Sequence, residues 1–504
     1  MENKKTLASL KQDDKRTDDS LTRRGLLKGA AALAGAGTGV SVGCAADGDL
    51  AATPTNDEAR TLSGRSRVAV VGAGSGGIAA AYFLAGTYDV DLFESRSKVG
   101  GHCDSQIIDY QGTPITVDLG AQFFHPDTHP IYVTLLEELG LYDPDHPDTD
   151  KTLEAPGSLC LFPVGGGAPV FSSTHPLSTP FRAIDFAIYS QMARYAITSN
   201  MSWEITVDAW IRGLPVSQSF KNDILYPWIA ALIGTSRANA LISSARSILQ
   251  TFALAFPANI FQGATTYNSL IGLQGNIQTL LDRSPSVNVN VNAPASALER
   301  TDGGWFVTTP AGRQGPYAAV VINVPPHTSR DLVRALPGYA DVTALLDTYQ
   351  YFDSRLLIHT DAAYVQRDRD NWAAHNGGID GVECEGSVWL GAIHQKLSTG
   401  ATVDVFKSWA QRRRADPTNV LLERRFKHPL ITPAVIRAAR ALRPLQGRNG
   451  LYFSGQYTTG MDLQEAAVYS AMKVAAALAP QSATLASLNA RLAARGRTGI
   501  SYDL

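Results

Sequence analysis

The chain has 504 residues, 44% hydrophobic and 18% charged, with 44 Gly and 26 Pro, a globular balance that excludes a disordered tail or a fibre. At roughly 150 residues per domain it has room for about three units, or two larger domains around a ligand. Lys plus Arg number 44 against 46 Asp plus Glu, so the net charge of −2 gives no basic field and no nucleic-acid partner is expected.

Residues 1–20 are polar and charge-dense, followed by Thr22-Arg23-Arg24-Gly25-Leu26-Leu27-Lys28 and an uncharged run from Gly29 to Ala46. That order is the grammar of a twin-arginine export signal over 1–46, which predicts a destination in the periplasm or on the extracellular face of the membrane. Two ends of the signal stay open. Ser41-Val42-Gly43-Cys44 resembles a lipobox and would tether the protein to a membrane through Cys44, whereas Cys44-Ala45-Ala46 offers small residues for ordinary cleavage. Residues 47–65 read as a flexible spacer.

Arg67–Val71 is a β-branched apolar run of the kind that forms a buried parallel strand. Gly72-Ala73-Gly74-Ser75-Gly76-Gly77 follows as a G-x-G-x-x-G, and the small, helix-forming residues 78–84 come next. Strand, turn and helix in that order predict a dinucleotide site: Gly72 for the tight turn, Gly74 for close approach of a pyrophosphate, Gly77 for helix packing. Ser75 and Gly76 then stand at a helix N-terminus rich in amide donors. A second strand, 90–93, ends at Glu94, 22 residues after Gly72. A carboxylate there accepts the adenosine ribose hydroxyls and repels a 2′-phosphate.

Val99-Gly100-Gly101-His102, with Val117-Asp118-Leu119-Gly120-Ala121-Gln122, resembles the FAD-dependent flavin amine oxidase superfamily. The resemblance implies FAD as cofactor. It places Gly101 and His102 by the pyrophosphate, with His102 in place of the usual Arg, and Gly120, Ala121 and Gln122 toward the flavin ring. Segment 289–298 resembles the middle FAD segment, with Ala295 against the adenine. Segment 450–478 resembles the closing strand and helix, bringing Gly455, Leu463 and Gln464 to the flavin. The implied fold is α/β: a Rossmann-type, GR2-like FAD-binding domain (66–125, 287–330, 446–480) interleaved with a mixed α+β substrate or cap domain (126–286, 331–445), and a C-terminal tail over 481–504.

In that superfamily amine oxidation is the default, with aromatic rings flanking the amine and a Lys near flavin N5. Here Leu463 stands where one ring is common, and Ser354 or Arg355 stands near the Lys position. Gly-Gly-His, Leu357-Ile358-His359-Thr360-Asp361 with Trp372, and Phe426-Lys427-His428-Pro429 resemble instead a bacterial branch associated with unsaturated or cyclopropane fatty acids, similar in plan to polyunsaturated fatty-acid isomerases. That implies hydride transfer between flavin N5 and a small, apolar, unsaturated lipid-like substrate, by isomerisation or net redox. An amine or amino-acid oxidase releasing peroxide, and a non-catalytic flavin-binding protein, remain as alternatives.

Phe123, Phe124 and Tyr457 are the expected pocket wall, and no catalytic residue is assigned. His359 and His428 read equally as core or surface residues. Cys103, beside the Gly-Gly turn, reads as an inert small residue, and Cys160 and Cys384 are open as to pairing. The four cysteines lie far apart without a C-x-x-C or Cys/His cluster, so no metal is expected.

Overall fold

A strand buried along nearly its whole length must be covered on both faces, and the first two strands of this chain are of that kind. In the computed structural model, which describes residues 64–259, 262–412 and 415–504, Arg67–Val71 and Asp89–Phe93 pair in parallel, Val68 opposite Val90 and Val70 opposite Leu92. The expected export signal over 1–46, Cys44 included, and nearly all of the expected spacer lie outside the described residues.

These two strands sit inside a five-stranded sheet in the order Val287–Asn290, Asp89–Phe93, Arg67–Val71, Ala319–Ile322, Leu451–Phe453, with all four pairings parallel. Sheet neighbours thus come from three distant stretches of chain. Helix Ser75–Leu84 makes the crossover between the first two strands and is buried from Gly76 to Leu84. Helix Gln464–Leu478 packs on it. This is the Rossmann-like α/β arrangement, and its strand ends meet the Gly-rich loop.

A second sheet of seven strands runs in the order Val420–Pro429, Tyr351–His359, Phe406–Trp409, Glu383–Trp389, His375–Asp380, Leu159–Pro163, Phe171–Ser172. It is antiparallel except where His375–Asp380 runs parallel to Leu159–Pro163. Helices between residues 180 and 249 pack at one end, where Leu159, Leu161 and Phe171 share a core with Tyr189, Phe220, Ile229 and Ala245. The hairpin Ser105–Tyr110/Thr113–Asp118 leads from the Gly-Gly turn to Phe123–Phe124, which pairs with Thr265–Ser269.

The division into two layers is less clean than the sequence suggests. Leu332, Val342, Ile436 and Leu442, within stretches assigned to the substrate domain, pack into the core of the parallel sheet, as do Ile131–Leu136 and Leu273–Leu281. A parallel sheet needs helical cover on both faces, and these segments supply it. Residues 481–504 are not a loose tail either: Ala483–Ala494 is a helix whose Leu485, Leu488 and Leu492 are buried in the same core. Cys103, Cys160 and Cys384 are buried, and burial pushes the thiols of Cys103 and Cys160 up to about 12. No helix among the described residues is long and apolar enough to cross a membrane.

Candidate active site

The Gly-rich loop is shaped by contacts that leave no room for side chains. A Cβ on Gly72, at φ +100°, would lie 2.4 Å from the Asn323 carbonyl oxygen, and one on Gly77 would lie 1.9 Å from the Gly72 carbonyl oxygen. Gly74 is different, because a Cβ there would meet only Asn323 Nδ2 at 3.6 Å and Gly101 Cα at 3.8 Å. It lies along a slot between two loops. The opposite wall is the Gly-Gly turn: Gly74 bridges to Gly100, and Gly100 N–H donates to the Ala73 carbonyl at 2.8 Å. Helix Ser75–Leu84 begins with no side-chain cap and no acid in its first turn, so its leading amides are available to a phosphate. Asn323 Oδ1 is buried beside Gly76 without a hydrogen-bond partner. An uncapped helix start with its leading amides available and an open slot between two glycine turns fit a pyrophosphate.

Glu94, 6% exposed, stands at the end of its strand with Oε2 accepting from Ala73 N–H at 3.0 Å and Oε1 from Arg96 N–H at 2.9 Å. That fixes the carboxylate where a ribose would pass. Ala295 packs at the rim of the core next to this strand end, and Ala293 N–H donates to the Glu94 carbonyl at 2.8 Å.

The ring end of the site is tied to the phosphate end. Ala121 N–H donates to the His102 carbonyl at 3.0 Å, and a Cβ on Gly120 would lie 1.8 Å from that oxygen. Asp118 accepts from Ser105 Oγ at 2.5 Å and from Leu273 N–H at 3.1 Å, which anchors the segment. Gln122 Oε1 and both amide atoms of Asn268 are buried without partners beside a cavity of about 20 Å³, room for roughly one water. Leu463 is the N-cap of helix Gln464–Leu478 without a side-chain bond, and Glu465 stands in the first turn of that helix. Gln464 Nε2 donates to the Phe123 carbonyl at 2.9 Å, and Gly455 adopts φ +119° at the preceding turn.

His102 does not stand alone. Its ring lies 5.1 Å from that of His428, whose Nδ1 is 2.8 Å from Asp462 Oδ2, while Gln456 Nε2 donates to Asp462 Oδ1. Burial, then the neighbouring His428, push His102 down to about 4, so it is neutral near pH 7. Burial would raise Asp462, but the charge and hydrogen bond of His428 hold it below the usual carboxylate range. The three residues bring potential ligand atoms within 4.8 Å of one another.

Two residues that sequence reasoning missed complete the floor. Lys407, 1% exposed, donates from Nζ to the Gly120 carbonyl at 2.5 Å; burial pushes it down to about 8 against the pull of Asp118. Asp118 is in turn pushed up to about 6 by burial. The His375 ring lies 4.8 Å from that of Phe123, tilted at 57° to it, and is pushed down to about 4 by burial. His375, Val388, Lys407 and Ile358 stand opposite one another on successive strands, so all four point to one face. The two residues expected near a Lys position go elsewhere. Ser354 accepts from Gln411, and Arg355 is ion-paired with Asp416 and Glu423 near the surface. A lysine inside the run Phe406-Lys407-Ser408-Trp409 was the available signal.

Of the expected pocket wall, only Phe123 faces this floor. Phe124, 1% exposed, belongs to a core ring cluster with Tyr132, Tyr142 and Tyr267, because adjacent strand residues point to opposite faces. Tyr457 is also packed in the core, its ring against Tyr349. His359 is a core residue with Nε2 2.8 Å from Ser408 Oγ. Beyond Phe124 opens a cavity of about 590 Å³, lined in part by His125, Asp127, Arg194, Leu254, Phe256 and Pro257.

The profile of flavin containing amine oxidoreductases matches residues 75–391. The chain belongs to that family. Its family is one of flavin-dependent oxidoreductases. Tryptophan 2-monooxygenase of Pseudomonas savastanoi is 35% identical over 109 residues, 20% of this chain and 19% of that protein. The homologous enzyme of Pantoea agglomerans pv. gypsophilae is 34% identical over 116 residues, 22% and 21%. The match thus spans about a fifth of these curated relatives. Among solved structures, a CLA-producing fatty acid isomerase from P. acnes is similar with a TM-score of 0.57 at 14% identity, covering 84% of this chain and 99% of that one. Putrescine oxidase bound to putrescine gives 0.56 at 16% identity, with 82% and 99% covered. Cyclohexylamine oxidase from Brevibacterium oxydans IH-35A gives 0.54 at 15%, with 83% and 99% covered. These likenesses show the fold.

Gly77→Ala forces a Cβ into the Gly72 carbonyl and is expected to reduce the bound flavin of purified protein at least tenfold, read from visible absorbance. His375 is neutral when folded and charges on unfolding below its ordinary value of 6.5. Its contribution to stability is therefore present above that value and is lost as pH falls toward 4, by about 3 kcal/mol over the window. The unfolding free energy of His375→Gln, measured in urea, is expected to fall less than that of wild type between these pH values.

Proposed function

We propose that this family member acts on an unsaturated, carboxylate-bearing lipid-like substrate, by double-bond isomerisation or net redox. The observation that carries the reading is the cavity bounded by His125 and Asp127: its wall combines Leu254, Phe256 and Pro257 with the guanidinium of Arg194. Its volume of about 590 Å³ is in the range of small-molecule sites. Arg194 is held from one side, Nη1 donating to the Leu254 carbonyl at 2.9 Å and also to that of Phe256, which orients the remaining guanidinium donors. A carboxylate with an apolar tail matches that combination.

Bound FAD supplies a reversible hydride acceptor at N5. This chain's own residues bind and exclude. The amides at the start of helix Ser75–Leu84 and Glu94 hold the two ends of the dinucleotide, Phe123 and Leu463 keep water from the ring face, and Arg194 fixes the substrate's register. Leu463, where an aromatic ring is common, also supports a substrate other than an amine.

The family match and the likeness to tryptophan 2-monooxygenases favour a second reading, an amino-acid or amine oxidase, in which Arg194 would take the amino acid's carboxylate. We further propose export by the twin-arginine route to the outer face of the membrane, with Cys44 as tether, supported by the grammar of residues 22–46.

Anaerobic linoleate is expected to raise absorbance near roughly 234 nm, where a conjugated diene absorbs, without lasting bleaching of the flavin. Bleaching by tryptophan or an amine, with peroxide when air returns, establishes the oxidase reading instead. Arg194→Met is expected to raise KM for linoleate at least tenfold, about the loss of a charge-assisted hydrogen bond, and to leave KM for its methyl ester unchanged. Replacing Arg23 and Arg24 by Lys is expected to leave the flavoprotein in the cytoplasm on cell fractionation.

A further inference from the structure

Helix Pro180–Thr198 is apolar on two sides. Its inner side buries Tyr189, Ala193, Ala196 and Ile197, with Phe186 stacked 4.6 Å from Phe171. Its outer side carries Phe181 at 83%, Ile184 at 58% and Tyr195 at 64% exposure, and Leu177, one turn upstream, at 89%. At 100° per residue Phe181, Ile184 and Tyr195 fall within a wedge of about 60°, along a helix about 28 Å long, and Leu177 sits in the short turn Pro176–Ser178 just before it. A helix with apolar residues on both sides belongs inside something, and this one has nothing over its outer side among the described residues.

We propose that this outer face docks on a lipid surface. The area argues against a second copy of the chain: the four side chains expose on the order of 600 Å², at the top of the range for an ordinary monomer's largest patch, but short of the roughly 800 Å² per partner in a stable complex. The charges argue the same way. Residues 170–181 contain no Asp, Glu, Lys or Arg. The helix's own charged groups are engaged off the stripe: Arg182 with the Val170 carbonyl and Asp223, Asp185 with Ser217, Arg194 with the Leu254 carbonyl. A protein partner would need a polar rim in register, whereas a bilayer interface takes a neutral stripe with aromatic rings near its two ends. Arg194 on this same helix lines the large cavity, so docking would bring one wall of that cavity to the lipid. The inference goes beyond the proposed function and stands whichever substrate the enzyme takes.

The test uses the full-length, flavin-loaded protein and phosphatidylcholine vesicles. In Phe181→Trp, the emission in excess of wild type is expected to shift to the blue on adding vesicles and to be quenched by lipid brominated in its acyl chains. That readout reports on this helix, whatever the N-terminal segment does. The combined variant Leu177→Ser, Phe181→Ser, Ile184→Ser is expected to lower the vesicle-bound fraction at least tenfold relative to Ile107→Ser, a control at a 75% exposed apolar position elsewhere. Emission from position 181 that neither shifts nor is quenched overturns the proposal. So does a concentration-dependent dimer of wild type that the triple variant converts to monomer, which would make a second copy the occupant.

Discussion

The contact on which the rest of the site depends is the clamp around the turn Gly100–His102. On one side Gly101 Cα packs so closely on Gly74 that a Cβ at Gly101 would lie 2.9 Å from the Gly74 Cα; on the other, the His102 carbonyl accepts from Ala121 and leaves no room for a side chain at Gly120. One short turn therefore sets the distance between the phosphate end and the ring end of a single extended cofactor. The five-stranded sheet fixes the Gly-rich loop, the hairpin after the turn fixes the ring-facing segment, and the clamp holds both to one register.

Beneath that segment, a buried charge does what a hydrophobic residue could not. Lys407 reaches the Gly120 carbonyl from the second sheet and faces Asp118 in a setting that burial makes costly for both. A lysine so placed is tolerated only with partners. It ties the seven-stranded sheet to the loop that crosses from the hairpin strand Thr113–Asp118 to Phe123–Phe124. Three buried amide atoms without protein partners, on Gln122 and Asn268, lie along the same segment, so the crossing is polar while its surroundings are apolar.

What was legible in the sequence was local. The run from Arg67 to Glu94 encodes strand, loop, helix and acid within one crossover, and Gly72, Gly76 and Gly77 each answer to a close contact with Asn323 or with the loop itself. The floor of the site was not legible, because His375 and Lys407 meet through strand pairing between segments whose order in the sheet differs from their order in the chain. Phe124 could have been read differently, since two adjacent strand residues cannot both face one pocket. The helix at 483–494 was missed for another reason: its leucines are spaced for burial, but alanines fill the turns between them, and its partner, helix Pro130–Leu139, lies some 350 residues upstream.

Glu465 shows what this late closure entails. It accepts from Ile131 N–H at 3.0 Å, Tyr132 N–H at 2.7 Å and the Tyr502 hydroxyl at 2.8 Å, joining an early helix, the flavin-facing helix and the last residues of the chain. The final strand of the parallel sheet is only 451–453. The Gly-rich loop is made well before helix Gln464–Leu478, which packs on the helix the loop leads into. A chain stopped short of that helix would carry a phosphate cradle with no roof, so flavin loading has to wait for a segment far downstream of the loop that holds the phosphates.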